Sequence, residues 1–147
     1  KLAGPEQIEF VALDRWWFGA RSRHQGEGLV FLAISRPEPL PVPNQLYDSA
    51  LENLIQNAEA KRHRDANLRI IVSLDGLTLS VEDSGAELPT EIVRRLFSQP
   101  LQSDQGLGMG LYQTARLADR LGFRIRLAEN RSGCVRFVLD QPATGLE

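Results

Sequence analysis

Residues 68–83, LRIIVSLDGLTLSVED, contain two runs of alternating apolar and polar residues that meet at Asp75-Gly76. Alternation with a period of two is typical of half-buried strands, and an Asp-Gly pair between two such runs is the strongest short-range signal for a hairpin. The runs FRIRLAEN (123–130) and CVRFVLD (134–140) predict a second hairpin, with its turn at about 131–133. The chain is therefore predicted to contain an antiparallel sheet.

Three helices are predicted around these hairpins. The clearest covers about residues 45–64, where six apolar residues fall within roughly half of the helical circumference: Leu46, Ala50, Leu51, Leu54, Ile55 and Ala58. TEIVRRLF (90–97) predicts a short helix, and a further helix is predicted to begin near Gly110 and to end before Gly122.

The first third of the chain is predicted to hold one helix, one strand and one loop. IEFVALDRWWFGARSRH (8–24) has the apolar spacing of an amphipathic helix, and GLVFLAIS (28–35) has the composition of a buried strand. RPEPLPVPN (36–44) is too rich in proline for a helix or a central strand. This order of elements predicts an α/β (α+β) two-layer sandwich, in which helices cover one face of a mixed, mostly antiparallel sheet.

Length and composition limit the classes of function. The 147 residues suffice for one ordinary domain, and a formal net charge of -2 gives no general reason to expect a nucleic acid or an anionic membrane as partner. The single cysteine, Cys134, excludes an internal disulfide and suits a reducing compartment. The longest apolar run, LVFLAI, is far shorter than the ~20 residues of a membrane span. Because the chain opens at Lys1 without a methionine, we expect it to be cut from a larger protein.

Three glycines at alternate positions, Gly106, Gly108 and Gly110, lie in GLGMGLY (106–112) and run into the predicted helix. A Walker loop would need a lysine and then a serine or threonine after the last glycine, and the spacing also differs from that of a dinucleotide fingerprint. Bare backbone amides at a helix N-terminus are suited to phosphate. A flexible loop that leads into a helix is the alternative interpretation.

Two further patterns contain polar side chains of the kind that bind ligands. Asn53 and Asn57 are spaced by four residues and share one edge of the 45–64 helix with Lys61, where they could face an oxygen-rich ligand and a hard cation or simply solvent. Asp83 ends a predicted strand and is followed by a turn that contains Gly85. A carboxylate there can accept a hydrogen bond from a base amino group, although a plain turn explains the pattern equally.

The patterns follow one another in an order that resembles a family: the catalytic and ATP-binding domains of sensor histidine kinases, within the wider gyrase, chaperone and kinase ATPase superfamily. LENLIQNA (51–58) looks like its N box, EDSGAELP (82–89) like its first glycine box, Leu96-Phe97 like its F box and GLGMGLY like its second glycine box. The resemblance covers about 43–142 and implies the Bergerat-type ATP-binding fold. We therefore expect one domain, with a helix and a strand in 1–42, an ATP-binding catalytic core in 43–142 and a tail in 143–147.

The resemblance also implies roles for individual residues. Asp83 would bind the adenine amino group and Gly85 would let the base approach, while Asn57 would hold Mg²⁺ and Asn53 and Lys61 would lie near the phosphates of ATP. Residues 98–105 would form a mobile ATP lid. The full set of nucleotide-binding residues would be Asn53, Asn57, Lys61, Asp83, Gly85, Leu88, Gln105, Gly106, Leu107, Gly108, Gly110 and Leu111.

The implied activity is transfer of the γ-phosphoryl group of ATP to a histidine on a separate dimerisation domain, with a response regulator acting downstream. Neither His24 nor His63 is followed by the acidic residue usual after a phosphoacceptor histidine, so we expect the acceptor on another domain. Superfamily members that hydrolyse ATP carry a glutamate four residues before the metal-binding asparagine, and that position is Asn53 here. Hydrolysis is therefore disfavoured.

Two departures from the family pattern leave other functions open. Glu87 stands where the first glycine box usually has its second glycine, and Ala60 stands where the family usually has a basic residue. Both would permit a non-catalytic nucleotide-sensing or partner-binding module of the same fold, and an anti-sigma-type serine kinase is a third option. We expect a cytoplasmic domain that contacts neither nucleic acid nor membrane, in a parent protein that could be anchored in the inner membrane.

Overall fold

The structure, a computed structural model, describes residues 7–99 and 109–142. Seven strands lie within these ranges: β1 (Phe10–Ala12), β2 (Leu29–Ala33), β3 (Pro41–Pro43), β4 (Ile70–Asp75), β5 (Thr78–Asp83), β6 (Arg124–Arg131) and β7 (Cys134–Asp140). The helices are α1 (Leu13–Arg23), α2 (Asn44–Glu59), α3 (Thr90–Arg95) and α4 (Met109–Arg120), and a 3₁₀ turn, Ala60–His63, follows α2.

Five of the strands form one mixed sheet in the order β2-β4-β5-β7-β6. Only the β2–β4 pair is parallel, and the other three pairs are antiparallel. Alternate residues of β4, among them Ile70, Val72 and Leu74, are fully buried on the face that α2 covers. The helices share this hydrophobic core with one face of the sheet, which confirms the predicted two-layer α/β sandwich.

Both predicted hairpins are present. Asp75 pairs with Thr78, so Gly76 is the first of two loop residues, and its φ of 59° is one that glycine adopts without strain. In the second hairpin Arg131 pairs with Cys134. The period-two alternation matches β4, where Ile70, Val72 and Leu74 are buried and the residues between them are only partly buried. In β7 both faces are covered, since Val138 is buried as well as Phe137 and Leu139.

The first third of the chain differs from its prediction in two respects. The helix begins only at Leu13, because Phe10–Ala12 instead pairs antiparallel with Pro41–Pro43 in a separate two-stranded sheet. The run predicted as a buried strand is β2, which lies at an edge of the main sheet and leaves Val30 and Leu32 about half exposed, at 53% and 49%. Its apolar composition therefore did not indicate full burial.

The long helix α2 ends at Glu59, five residues earlier than predicted, and the chain continues as a 3₁₀ turn. A 3₁₀ turn is tighter than an α-helix, so side chains beyond Glu59 do not continue along the α-helical face. Lys61 is the predicted site residue that lies in this 3₁₀ turn, so the early end of α2 changes the position of its side chain.

Among the described residues, no helix is both long and apolar enough to cross a membrane.

Candidate nucleotide-binding site

A pocket lies between α2, β5 and the loop that follows β5. It brings together four of the residues that the sequence singled out, and its lining consists of Leu54, Asn57, Ala58, Lys61, Val81, Asp83, Leu88 and Phe137. The cavity volume is about 10 Å³, which is about enough for one water molecule. The described part of the site is therefore closed rather than open to a ligand as large as a nucleobase.

Lys61 and Asp83 form an ion pair across this pocket. The Lys61 ammonium donates to Asp83 Oδ1 at 2.9 Å, to Asp83 Oδ2 at 3.1 Å and to the Ala86 carbonyl at 2.9 Å. The Asp83 side chain is 5% exposed and the Lys61 side chain 19%. The resemblance implied that Lys61 would lie near the phosphates and Asp83 at the base, but the structure joins the two residues directly.

Gly85 completes the turn around the Asp83 carboxylate. Its backbone N–H donates to Asp83 Oδ1 at 2.8 Å, which holds the carboxylate in place from the loop side. A β-carbon at position 85 would lie 2.7 Å from Lys61 Cδ and 3.0 Å from Leu68 Cδ1, so a side chain there would collide with both. The bare backbone at this position is thus required by the Lys61 stem that passes over it.

The second hairpin fixes the outer side of the same loop. The Asn130 carboxamide accepts from the Leu88 backbone N–H at 2.8 Å and donates to the Leu88 carbonyl at 3.1 Å, and the Gly133 N–H donates to the Gly85 carbonyl at 2.9 Å. The sequence analysis missed Asn130. No local signal could have found it, because only the strand order brings β6 and β7 next to this loop.

The two asparagines of α2 have different environments. Asn53 donates to the Ser49 carbonyl at 2.8 Å and to Thr114 Oγ1 at 3.0 Å, so its carboxamide is fixed against α4. The Asn57 amide nitrogen is buried and has no hydrogen-bond partner among the described residues. Buried polar groups without partners are rare, so the Asn57 amide N–H is the donor in the described part of this pocket that needs an acceptor.

Gly110 lies at the start of α4, directly against Asn53. A β-carbon at this position would collide with Asn53 Oδ1 and lie 3.0 Å from Asn53 Cγ. The glycine therefore lets α4 approach α2 closely, a packing role that the sequence analysis did not consider beside the predicted phosphate contact.

Residues 43–144 match the family of histidine kinase-, DNA gyrase B-, and HSP90-like ATPases. The chain belongs to this family. The match confirms the resemblance that the four boxes predicted, and it assigns the chain to a fold that binds ATP.

Sensor histidine kinases are among the relatives that this chain matches. The sensor histidine kinase CpxA of Escherichia coli K12 is 32% identical over 91 residues, which cover 54% of this chain and 20% of CpxA. The chain thus spans about a fifth of the length of the curated relatives it matches.

Solved histidine kinases share the fold of this chain. The nucleotide-free catalytic domain of ThkA has a TM-score of 0.69 at 22% identity, covering 93% of this chain and 97% of that domain. Full-length ShkA in complex with AMPPNP has a TM-score of 0.74 at 16% identity, covering 95% of this chain and 32% of ShkA. ThkA in complex with the response regulator TrrA has a TM-score of 0.67 at 24% identity, covering 93% of this chain and 42% of that one.

Not every residue that the resemblance assigned to the nucleotide site is among those that line the pocket in the described part of the chain. Gln105, Gly106, Leu107 and Gly108, together with the part of the predicted lid from residue 100 onward, lie outside the described residues. Leu111 belongs to the core of the domain, at 2% exposure. Phe97 of the F box packs edge to face against Phe137, with ring centroids 6.3 Å apart, and Phe137 lines the pocket.

The residues that departed from the family pattern do not enter the pocket. Glu87 is exposed, so its carboxylate does not crowd Asp83, and Ala60 is half-buried in the 3₁₀ turn. Of the two histidines, His63 is exposed and His24 is half-buried. Partial burial and the neighbouring Arg23 lower the pKa of His24.

Cys134 is the first residue of β7, directly after the turn of the second hairpin. Its thiol donates to Glu129 Oε1 at 3.5 Å, and burial, together with that carboxylate, raises the pKa of Cys134. The hydrogen bonds from Cys134 and Arg131 in turn lower the pKa of Glu129. The thiol thus stays protonated and structural at neutral pH.

Within residues 7–99 and 109–142, no group of three or more His, Cys, Asp or Glu side chains could hold a metal ion.

Proposed function

We propose that this chain is the ATP-binding catalytic domain of a two-component sensor histidine kinase. It would transfer the γ-phosphoryl group of ATP to a histidine on a separate dimerisation domain of the parent protein. The observation that carries this proposal is the position of Asn57, Asp83 and Gly85 around one pocket in a chain of the histidine kinase-like ATPase family.

In this proposal Asp83 accepts a hydrogen bond from the adenine amino group, and the bare backbone at Gly85 lets the base approach the carboxylate. Asp83 is suited to this role because it is buried and already oriented by the Gly85 N–H. Guanine carries a carbonyl where adenine has its amino group, so the carboxylate selects adenine. Changing Asp83→Asn should weaken ATP binding by roughly tenfold or more, as expected for loss of a charge-assisted hydrogen bond of ~1.5–3 kcal/mol.

We propose that Asn57 contributes an amide oxygen to Mg²⁺. The Asn57 side chain lines the pocket, its carboxamide oxygen is a hard ligand, and Mg²⁺ is usually held by one or two protein oxygens together with substrate phosphates. When bound, the ion would neutralise the charge of the phosphate tail during transfer. The predicted contacts of Asn53, Gly110 and the glycine-rich run 105–108 with the phosphates remain part of this proposal.

The proposed reaction is transfer to a protein acceptor rather than hydrolysis of ATP. An efficient hydrolase needs a general base near the metal-binding residue, and position 53 carries a neutral amide that is fixed against α4. Glu52 is exposed, and its Oε2 accepts a hydrogen bond from Gln56 Nε2 at 3.5 Å on the solvent side of α2. It cannot replace the missing base.

The test supplies a matching dimerisation domain with γ-labelled ATP and Mg²⁺, and follows the label on the acceptor histidine and in free phosphate. The proposal expects labelled histidine, little free phosphate, and loss of both transfer and Mg²⁺-dependent nucleotide binding in Asn57→Ala. Gln56→Ala is the matched control, because it truncates an exposed amide of the same helix. Rapid phosphate release by the isolated domain, or transfer that survives Asn57→Ala, would contradict the proposal.

A second candidate is a non-catalytic nucleotide-sensing module, and the closed pocket favours it. The Lys61–Asp83 ion pair fills the place proposed for the base and leaves a cavity of only about 10 Å³. In the same assay this module would bind nucleotide without labelling the histidine or releasing phosphate.

The same proposal implies the bounds of the domain, its partners and its cellular compartment. Residues 43–142 would form the ATP-binding core, residues 1–42 would lead into it and 143–147 would be a tail. The partners would be ATP, the dimerisation domain and, indirectly, a response regulator, a class of partner that ThkA binds. We place the domain in the cytoplasm, where ATP and response regulators are found.

A further inference from the structure

The Lys61 ammonium is fully satisfied by acceptors of the pocket. An ammonium has three donors, and Lys61 directs them to Asp83 Oδ1 at 2.9 Å, Asp83 Oδ2 at 3.1 Å and the Ala86 carbonyl at 2.9 Å. Because both carboxylate oxygens are engaged and the pair is largely buried, water and salt compete with it poorly.

The stem of Lys61 also covers the surface on which a base would have to lie. Its Cδ passes over Gly85 at 2.7 Å from the position of a β-carbon, in the space that the absence of a side chain leaves free. With the stem and the ammonium in place, the cavity is about 10 Å³, far smaller than a purine. A purine can reach Asp83 only when Lys61 leaves.

We propose that Lys61 is an internal competitor for the adenine acceptor, so that binding of the base requires the ammonium to leave Asp83. The inference rests on the proposed function, since it takes Asp83 as the adenine acceptor. An amino group of the ligand and the ammonium of the protein then compete for one carboxylate. The apparent affinity for the base is reduced by the fraction of molecules in which Lys61 occupies Asp83.

A lysine that competes with the base and a lysine that only attracts phosphate predict different effects of removing Lys61 on the binding of adenosine. If Lys61 served only to attract phosphate, its removal would weaken the binding of ATP and leave adenosine unaffected. If Lys61 competes with the base, its removal should tighten the binding of adenosine, which carries the base and no phosphate.

The first experiment measures adenosine and ATP binding by calorimetry for the parent chain, Lys61→Met and Arg64→Met. Methionine is similarly long but lacks the ammonium whose three hydrogen bonds hold the stem over Gly85, so its side chain is free to leave the surface of the base. Arg64→Met removes one exposed positive charge three residues away. We expect Lys61→Met to bind adenosine at least about tenfold more tightly than the parent, and Arg64→Met to match the parent. Equal or weaker adenosine binding by Lys61→Met, in a chain whose parent binds ATP, would overturn the inference and leave the proposed function intact. If neither the parent nor Lys61→Met binds ATP, the proposed function fails and the inference fails with it.

A second measurement needs no variant and covers the case in which Lys61→Met does not fold. The only other lysine of the chain is Lys1, so reaction with an amine-selective reagent followed by mass spectrometry reports Lys61 with Lys1 as internal reference. Saturating adenosine should increase the reactivity of Lys61 several-fold relative to Lys1, because the ammonium loses its buried partner. Unchanged or reduced reactivity under saturating adenosine would contradict the displacement.

Discussion

Substitution of Gly110 by alanine tests whether this glycine is needed to pack α4 against α2. Alanine normally stabilises a helix relative to glycine by ~0.5–1 kcal/mol. Here the new methyl group would collide with the Asn53 carboxamide, which two hydrogen bonds hold against Ser49 and Thr114. The packing role therefore predicts a loss of stability where helix propensity alone predicts a gain.

The magnitude follows from the bonds that Asn53 must give up. Each hydrogen bond contributes ~0.5–1.5 kcal/mol net, so displacing Asn53 costs about 1–3 kcal/mol. The helix gain of ~0.5–1 kcal/mol offsets part of this, and the net change in the free energy of unfolding is a loss of about 1 kcal/mol. For a domain of this size such a loss lowers the melting temperature by roughly 2–4 °C.

The assay is a double-mutant cycle by urea unfolding, with Gly110→Ala made in the parent and in Asn53→Ala. Once the carboxamide is absent, the methyl group has space, and Gly110→Ala should become neutral or stabilising. Gly19→Ala is the matched control: it also lies within a helix, and its methyl would meet only the flexible, half-exposed Arg23 side chain. An equal cost of Gly110→Ala in both backgrounds would refute the packing role.

Two further changes test how the pocket is supported and how the core responds to pH. Asn130→Ala removes both hydrogen bonds to the Leu88 backbone and should destabilise the fold by about 1–3 kcal/mol while weakening ATP binding, as measured by urea unfolding and calorimetry. Tyr47 is fully buried and donates to the Leu77 carbonyl at 2.6 Å, and burial raises the pKa of Tyr47 above its ordinary value of about 10. The unfolded chain therefore loses this proton before the native state does, so the free energy of unfolding should fall as pH rises above about 10, by up to about 1.4 kcal/mol per pH unit. In Tyr47→Phe this part of the slope should be missing, and parallel slopes in urea unfolding of the parent and the variant would contradict the assignment.

The sheet and the major helices could be predicted because their signals are local. The alternation in β4 reflects a buried and a less buried face within a few residues of each other, and the turn at Gly76 is marked by the Asp-Gly pair itself. The edge position of β2 could not be predicted, since exposure of Val30 and Leu32 depends on which strands pair and on where the helices stop covering the sheet. The short pairing of Phe10–Ala12 with Pro41–Pro43 joins segments about thirty residues apart and leaves no local pattern.

The site shows the same division between local and distant signals, and Lys61 is its clearest case. Spacing along an ideal α-helix places Lys61 near Asn57 on the edge predicted to face the phosphates, and nothing between residues 59 and 64 is a glycine or a proline that would end the helix. The helix nevertheless tightens into a 3₁₀ turn at Ala60, and this change brings the ammonium to Asp83, 22 residues away in sequence. Lys61, just beyond the N box, and Asp83, in the first glycine box, therefore bind each other at the place where we propose that the adenine amino group binds. A family motif indicates which side chains converge on a site, whereas the exact end of one helix determines which of them are already paired before a ligand arrives.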